Sequence, residues 1–237
     1  MIMKPELSVI IPAYNEEARL GNTLSLITQY LRNTTLTYEI IVSDDGSTDG
    51  TIDVAKSFED VKVISDGINY GKGAAVRRGM LAANGEYRLF TDADLSTPIY
   101  EIEKLKKFLK NGYDVCIGSR AVDYKLIKKH QPFYREFMGK TFNKIVQMLV
   151  VKGIKDTQCG FKCFREQAAL DIFNRAKING FSFDVEILYL AKKMNYKIKE
   201  VGVEWYNDER TTVSPIKDSV KMFAEILKIK RIHSDLK

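Results

Sequence analysis

Two aspartates set one residue apart, Asp92 and Asp94, end the apolar run of "LFTDADLSTP". At the tip of an extended segment, residues i and i+2 point the same way, so both carboxylates can face one ligand. Two like charges that close repel each other unless one is protonated or a cation bridges them. A hard cation such as Mg²⁺ meets that need, because it takes one or two carboxylates and fills its other positions with phosphate and water oxygens. The same residues also suit an ordinary turn in which Asp94 caps the next helix.

Other groups invite chemistry. Asp44 and Asp45 lie in "SDDGSTD". Acceptor-only carboxylates there can take hydrogen bonds from ribose hydroxyls or a base N–H. Asp-Gly is equally a turn dipeptide, with Ser47, Thr48 or Asp49 capping a helix. "GKG" at 71–73 places Lys72 where a diphosphate could be touched, although the Walker A pattern G-x-x-x-x-G-K-[ST] is absent. A glycine turn of this kind also serves helix packing. No Ser-His-Asp or Cys-His constellation is visible, and His130 and His233 lie in basic contexts that read as exposed. Asp184 and Glu186 share "FDVEIL", one expected to face a pocket and the other solvent. Trp205, Phe181 and Phe183 read as core.

The elements that must position these groups alternate between strand and helix patterns. "LSVII" is a short, continuously apolar strand, as expected where both faces are buried. Glu16 to Leu31 follows as a helix with Leu20, Leu24, Ile27 and Leu31 on one face. "YEIIV", "VKVISD" and "EYRLFTD" repeat the strand pattern, with helices starting near Thr48 or Asp49 and spanning Lys72 to Ala83. Alternation of this kind predicts parallel βαβ units. Ligands of such sheets bind outside the carboxyl ends of the strands, where Asn15, Asp44, Asp45, Asp92 and Asp94 fall. Beyond them come a helix over Ile99–Lys110, the strand "YDVCIGSR", helices over Gln167–Asn174 and "FSFDVEILYLAKKMN", and the strand "YKIKEVGVEWY". The tail from Ile216 to Arg231 is amphipathic, with Ile216, Val220, Phe223 and Leu227 on one face.

Composition bounds the possibilities. The 237 residues are 45% hydrophobic and 29% charged, which supports a full soluble core. The net charge of +6 suits anionic partners or simple solubility. Three cysteines, with C-x3-C and only two histidines, form neither a disulfide framework nor a zinc pattern, and read as reduced thiols of the cytosol. The N-terminus shows no signal peptide, and no apolar run approaches the ~20 residues of a membrane span. Residues 121–152 interleave Lys125, Lys128, Lys129, Arg135, Lys140, Lys144 and Lys152 with Phe133, Phe137, Phe142 and aliphatics. That mixture suits either a solvated face or helices resting on anionic lipid. No RNA-binding motif accompanies it, so nucleic acid is not expected as a partner.

"VIIPAYNEE", "IVSDDGSTD", "NYGKGAAVRRGM", "FTDADLSTP", "IGSRA", "DTQCGFKCF" and "FSFDVEILYLA" occur in an order that resembles the family 2 inverting glycosyltransferases with the GT-A fold. The last two segments resemble the subgroup acting on polyprenyl phosphates, the dolichyl-phosphate β-glucosyltransferases and, more distantly, the mannose synthases. The resemblance implies an α/β, Rossmann-like, mostly parallel sheet flanked by helices, with a C-terminal amphipathic helix. It implies one domain over 1–237: a nucleotide-sugar half to about 120, an acceptor half with basic membrane-facing helices over about 121–215, and a helix over about 216–237.

The implied activity is metal-dependent, inverting transfer of a hexose from a nucleotide sugar to a dolichyl-type phosphate, with UDP-glucose as the preferred donor. GDP-mannose, UDP-N-acetylglucosamine, a saccharide acceptor or a silent nucleotide-sugar-binding module are the alternatives. Pro12, Tyr14 and Glu16 would line the nucleotide pocket, and Val42 and Asp44 would hold base and ribose. Asp92, Ala93 and Asp94 would sit at the diphosphate, the aspartates through Mg²⁺ or Mn²⁺. Arg120, Arg135 and Arg210 would attract phosphate groups, and Gln158 would lie near the sugar. A phosphate acceptor is already ionised and needs no strong base, whereas a saccharide acceptor would require one, with Asp184 or Glu186 as candidates. Relatives often carry transmembrane helices; this chain is expected at the cytoplasmic face of a membrane, held peripherally.

Overall fold

The computed structural model describes residues 4–208 and 217–236, with 217–221 as backbone only. Its strands are β1 (Leu7–Ala13), β2 (Tyr38–Asp44), β3 (Val61–Ile64), β4 (Tyr87–Thr91), β5 (Val115–Ser119), β6 (Ile127–Lys129), β7 (Phe161–Arg165), β8 (Ile198–Gly202) and β9 (Trp205–Tyr206). Its helices are α1 (Glu17–Arg32), α2 (Thr51–Lys56), α3 (Lys72–Ala82), α4 (Ile102–Lys110), α5 (Phe133–Leu149), α6 (Glu166–Arg175), α7 (Phe183–Lys193) and α8 (Lys217–Ile232).

Seven strands form one sheet in the order β3-β2-β1-β4-β7-β5-β8, and β6 pairs with β9 beside it. Strands β3, β2, β1 and β4 run parallel, as do β5 and β8. The chain moves outward from β1 to β2 and β3, then returns across β1 to β4. That reversal opens a crevice at the carboxyl ends of β1 and β4.

The continuous apolar runs follow from burial on both faces. Val9 and Ile11 of β1 join Val42, the α1 stripe Leu20, Leu24, Ile27 and Leu31, and Leu105 and Leu109 of α4 on one side. Ile10 turns the other way, to Ile41, Phe90, Val76 and Met80 of α3, Phe173 of α6 and Leu190 of α7. Each such side chain contributes on the order of 2 kcal/mol by leaving water.

One strand was not anticipated and two expectations are corrected. "FKCFR", for which the sequence offers no clean strand pattern, forms β7, antiparallel to both β4 and β5. Lys162 interrupts the run, and the structure buries that charge against Asp184. "YKIKEVGVEWY" is two strands in two sheets, broken at Val203–Glu204. Helix α8 presents Met222, Ile226 and Ile229 to the protein, while Phe223 and Leu227 are exposed. The face named from sequence is therefore the outer one as far as it is described; Ile216 and the side chain of Val220 lie outside the described residues.

Candidate active site

The crevice is a cleft of about 690 Å³. Pro12, Tyr14 and Glu16 enter it from the tip of β1, Lys72 from the start of α3, Asp92, Ala93 and Asp94 from the tip of β4, and Arg135 from α5. The sequence thus located most of one wall.

The β1 tip turns at Asn15, which has a φ of 53°. Asn15 accepts from the Thr48 N–H at 2.9 Å and donates its own N–H to the Ser47 hydroxyl at 2.9 Å, so the β1 and β2 tips are tied together. Glu16 accepts from Nη2 of Arg19 at 2.7 Å. Arg19 lines the cleft and stands 3.6 Å from Asp208. No motif marked it; its one signal is its place one helical turn beyond Glu16.

The β4 tip is held just as firmly. The Asp92 N–H donates to the Gly160 carbonyl at 3.1 Å, and Thr23 donates to the Ala93 carbonyl at 2.6 Å. Gly160 presses on the Asp92 carboxylate so closely that a methyl group there would overlap its oxygens. Lys72 Nζ meets Asp92 Oδ1 at 2.7 Å. Asp94 accepts from the Ser96 N–H at 2.9 Å and lines the cleft, so it closes a local turn; it does not cap the next helix, whose N-terminal residues Pro98 and Glu101 receive no side-chain cap. Burial and the neighbouring Asp92 push the Asp94 pKa up, against the opposing pull of Ser96, Lys72 and Arg19. Burial opposes the Lys72 charge, but Asp92, Asp184 and Asp94 outweigh it and raise its pKa.

Asp92 and Asp94 both line the cleft, and among the described residues no group of three or more His, Cys, Asp or Glu side chains is arranged to hold a metal, so a divalent ion here would take its protein ligands from this pair alone. A cation held by two carboxylates would keep positions open for phosphate oxygens.

Several expected residues stand elsewhere. Val42 is buried in the core. Asp44 accepts from the N–H groups of Gly46 at 3.0 Å and Ser47 at 3.2 Å and from the Ser65 hydroxyl at 2.7 Å, behind the wall. Its neighbour Asp45 lines the cleft, accepting from the Tyr70 and Gly71 N–H groups. The N–H groups of Gly73 and Ala74 donate to the Asn179 carbonyl, so the α3 start is capped by protein and offers no phosphate cradle there. Arg210 lies outside the described residues.

A second cavity, of about 170 Å³, adjoins the cleft and shares Gln131, Arg135 and Trp205 with it. Arg120 and Gln158 line this second space, together with Tyr124, Ile127 and Lys140. Arg120 is committed to Asp156, Nε at 2.7 Å and Nη2 at 2.9 Å, and its guanidinium lies 5.4 Å from the Trp205 ring centroid. Arg135, in contrast, has a buried Nε without a hydrogen-bond partner. Of the residues read as core, Phe183 is core, Trp205 is buried while also lining the cleft, and Phe181 lines the cleft.

Neither acidic residue of α7 faces solvent. Asp184 is ion-paired with buried Lys162; burial raises its pKa, while Lys162 and Lys72 oppose the rise. Glu186 accepts from the Lys177 and Ile178 N–H groups, both at 2.9 Å, and stands 2.7 Å from Nε2 of His233. His233, expected at the surface, is buried because the end of α8 packs onto α7. His130 is exposed beside Glu136. The three cysteines are buried and unpaired.

On α5, Phe133, Tyr134, Phe137 and Met148 are exposed, at 84%, 56%, 62% and 71% respectively, too much apolar surface for an ordinary solvated face. Among the described residues no helix is long and apolar enough to cross a membrane.

Comparison with known proteins agrees with this architecture. Residues 8–173 match the family model described as Glycosyl transferase family 2. The chain is 39% identical to a dolichyl-phosphate beta-glucosyltransferase of Dictyostelium discoideum, over 94% of this chain and 73% of the relative. It is 38% identical to the Mus musculus protein of the same name, over 95% and 75%. The glucosyl-3-phosphoglycerate synthase of Mycobacterium tuberculosis, solved with Mn²⁺, UDP and glucosyl-3-phosphoglycerate, superposes with a TM-score of 0.66 at 17% identity, over 98% of this chain and 81% of that one. A UDP complex of the same enzyme gives 0.67 at 19% identity, over 95% and 80%. The order of the strands, the acidic tips of β1, β2 and β4, and these matches lead to one assignment: the chain belongs to glycosyltransferase family 2 and is a glycosyltransferase of the GT-A fold.

Proposed function

We propose that this protein transfers glucose from UDP-glucose to a dolichyl-type polyprenyl phosphate, with inversion, at the cytoplasmic face of a membrane. The names of its relatives support the acceptor and the sugar. The neighbouring fold solved with UDP and Mn²⁺ supports the donor nucleotide and a divalent ion. Asp92 and Asp94 would hold that ion, Mg²⁺ or Mn²⁺, which when bound neutralises charge on the departing diphosphate.

The observation that carries the acceptor is Arg135. It stands where the two cavities meet, and its buried Nε lacks a partner. A lipid phosphate there would meet the guanidinium that lines both cavities and lie beside the donor cleft. Its oxygen attacks the sugar C1 as the bond from C1 to the diphosphate oxygen breaks on the opposite face, so an α-linked donor gives a β-linked product. Phosphate is ionised at neutral pH, so no proton must be removed. A saccharide hydroxyl would need a base, and Asp184 and Glu186 are both committed inside the protein. Arg135 holds and orients the phosphate. The exposed aromatics of α5, with Lys140 and Lys144 on the same helix, would rest on anionic lipid.

Arg135→Ala tests the assignment. The KM for polyprenyl phosphate is expected to rise about tenfold or more, with the affinity for UDP within twofold of wild type. An unchanged lipid KM, or an equal loss of UDP binding, would remove Arg135 from the acceptor site.

A further inference from the structure

Lys72 sits directly on Asp92, one of the two aspartates assigned above to the metal. Its ammonium covers Asp92 Oδ1 at 2.7 Å, and that oxygen is buried, with Gly160 packed against the carboxylate, while the Asp92 side chain as a whole keeps 30% of its surface open to the cleft. A divalent ion cannot reach Oδ1 while the ammonium stays there. The backbone of Lys72 cannot yield either. Gly73, the next residue, donates to the Asn179 carbonyl at 2.7 Å, and a methyl group on it would come within 2.6 Å of Phe183 Cβ. Only the flexible side chain can move, and it lines the open cleft.

The surrounding charges say what would move it. Asp184 already has Lys162, and Asp94 is near Arg19 as well as Lys72. Adding a divalent ion beside the Lys72 ammonium crowds three positive charges against two carboxylates, Asp92 and Asp94. A diphosphate reverses that balance, because its oxygens offer the ammonium a second anionic partner in the same cleft.

We propose that Lys72 is a resident counter-ion that occupies Asp92 in the nucleotide-free protein and makes divalent-metal binding conditional on a nucleoside diphosphate. This rests on the assignment of Asp92 and Asp94 as the metal pair. When the diphosphate arrives, Lys72 transfers its charge from Asp92 to the phosphate oxygens, and both carboxylates become open to the metal. Metal and nucleotide then bind together, and the empty enzyme does not retain the ion.

The test is Mn²⁺ binding to the full chain, read by electron paramagnetic resonance of the free ion, with and without UDP. Wild type is expected to bind Mn²⁺ at least about tenfold more tightly with UDP than without. Lys72→Met should bind Mn²⁺ without UDP at least about tenfold more tightly than wild type, since a full positive charge a few ångströms from the ion has gone. Lys72→Arg should behave as wild type. Lys72→Gln is a second neutral variant, should the methionine protein fold poorly. If the folded neutral variant binds Mn²⁺ no more tightly than wild type in the absence of UDP, while UDP still promotes binding, the counter-ion role is wrong and the metal pair stands. If wild type binds no Mn²⁺ even with UDP, the metal pair itself is wrong and the proposal fails with it.

Discussion

Arg120 holds Asp156 in a two-point ion pair, Nε to Oδ2 at 2.7 Å and Nη2 to Oδ1 at 2.9 Å, and its backbone N–H adds a third contact at 3.0 Å. The arginine of "GSR" therefore spends its charge on the protein, and of the two arginines expected at phosphate that lie among the described residues, Arg135 is the one with a guanidinium nitrogen that has no hydrogen-bond partner.

That pair carries a pH signature. Burial alone would raise the Asp156 pKa, but Arg120 outweighs it and holds the carboxyl at about 2, against the usual 3.8. A depressed folded-state pKa gives stability that is complete above the unfolded value and lost as pH falls through the folded one. The contribution is on the order of 2 kcal/mol, present above about pH 4 and gone below about pH 2. Asp156→Asn should cost about 1–3 kcal/mol at pH 7, because it leaves the partly buried Arg120 without its carboxylate. Urea denaturation at pH 7, 4 and 2 should show the gap to wild type narrowing with acid. A gap independent of pH would contradict the pairing.

Glu186 and His233 give a second discrimination. Glu186 holds the 177–178 backbone, and residues 177–181 line the cleft. Glu186→Gln leaves one buried N–H poorly served and should lower stability by about 1–3 kcal/mol. UDP affinity should weaken with it. Were Glu186 an acid–base group, the same variant would lose roughly 10²–10⁴ in kcat with UDP affinity intact.

Gly160 is a third test. Gly160→Ala would push the Asp92 carboxylate away from its place beside Lys72. Nucleotide binding in the presence of Mn²⁺ is expected to weaken at least about tenfold. Wild-type affinity in a well-folded variant would show that the Asp92 position is not critical.

The exposed face of α5 makes a surface prediction. Phe133→Ser with Phe137→Ser should leave thermal stability unchanged, since both rings are already in water. Sedimentation with anionic phosphatidylserine vesicles should fall several-fold, and binding of the wild type should weaken with salt. Unchanged vesicle binding would place the membrane contact elsewhere.

How much of this was legible in the sequence depended on the kind of signal. The parallel half announced itself, because strands buried on both faces must be apolar throughout, as Leu7 to Ile11 are. The D-x-D tip stood out by its spacing, which left a turn and a metal pair both open until the neighbouring motifs and the family resemblance were added. Strand β7 did not, since a buried charge at Lys162 needs Asp184, 22 residues away, to make sense of it. His233 looked exposed for the same reason: its neighbours in sequence are basic, and its partner Glu186 is distant. The α8 stripe was misassigned because a helix with apolar residues on two sides does not say which one packs. Asp44 was expected to be a ligand group from its type and strand-end position and Arg120 from the family resemblance, and their contacts inside the protein appear only in three dimensions.

The most direct measurement is the transfer itself. The protein is incubated with UDP carrying radiolabelled glucose, dolichyl phosphate in detergent and Mn²⁺, and the products are partitioned between organic and aqueous phases. Label in the organic phase, released by mild acid as expected for a glycosyl phosphate and abolished by Asp94→Asn, is the predicted result. Label confined to water-soluble saccharide, with no response to dolichyl phosphate, would contradict the account.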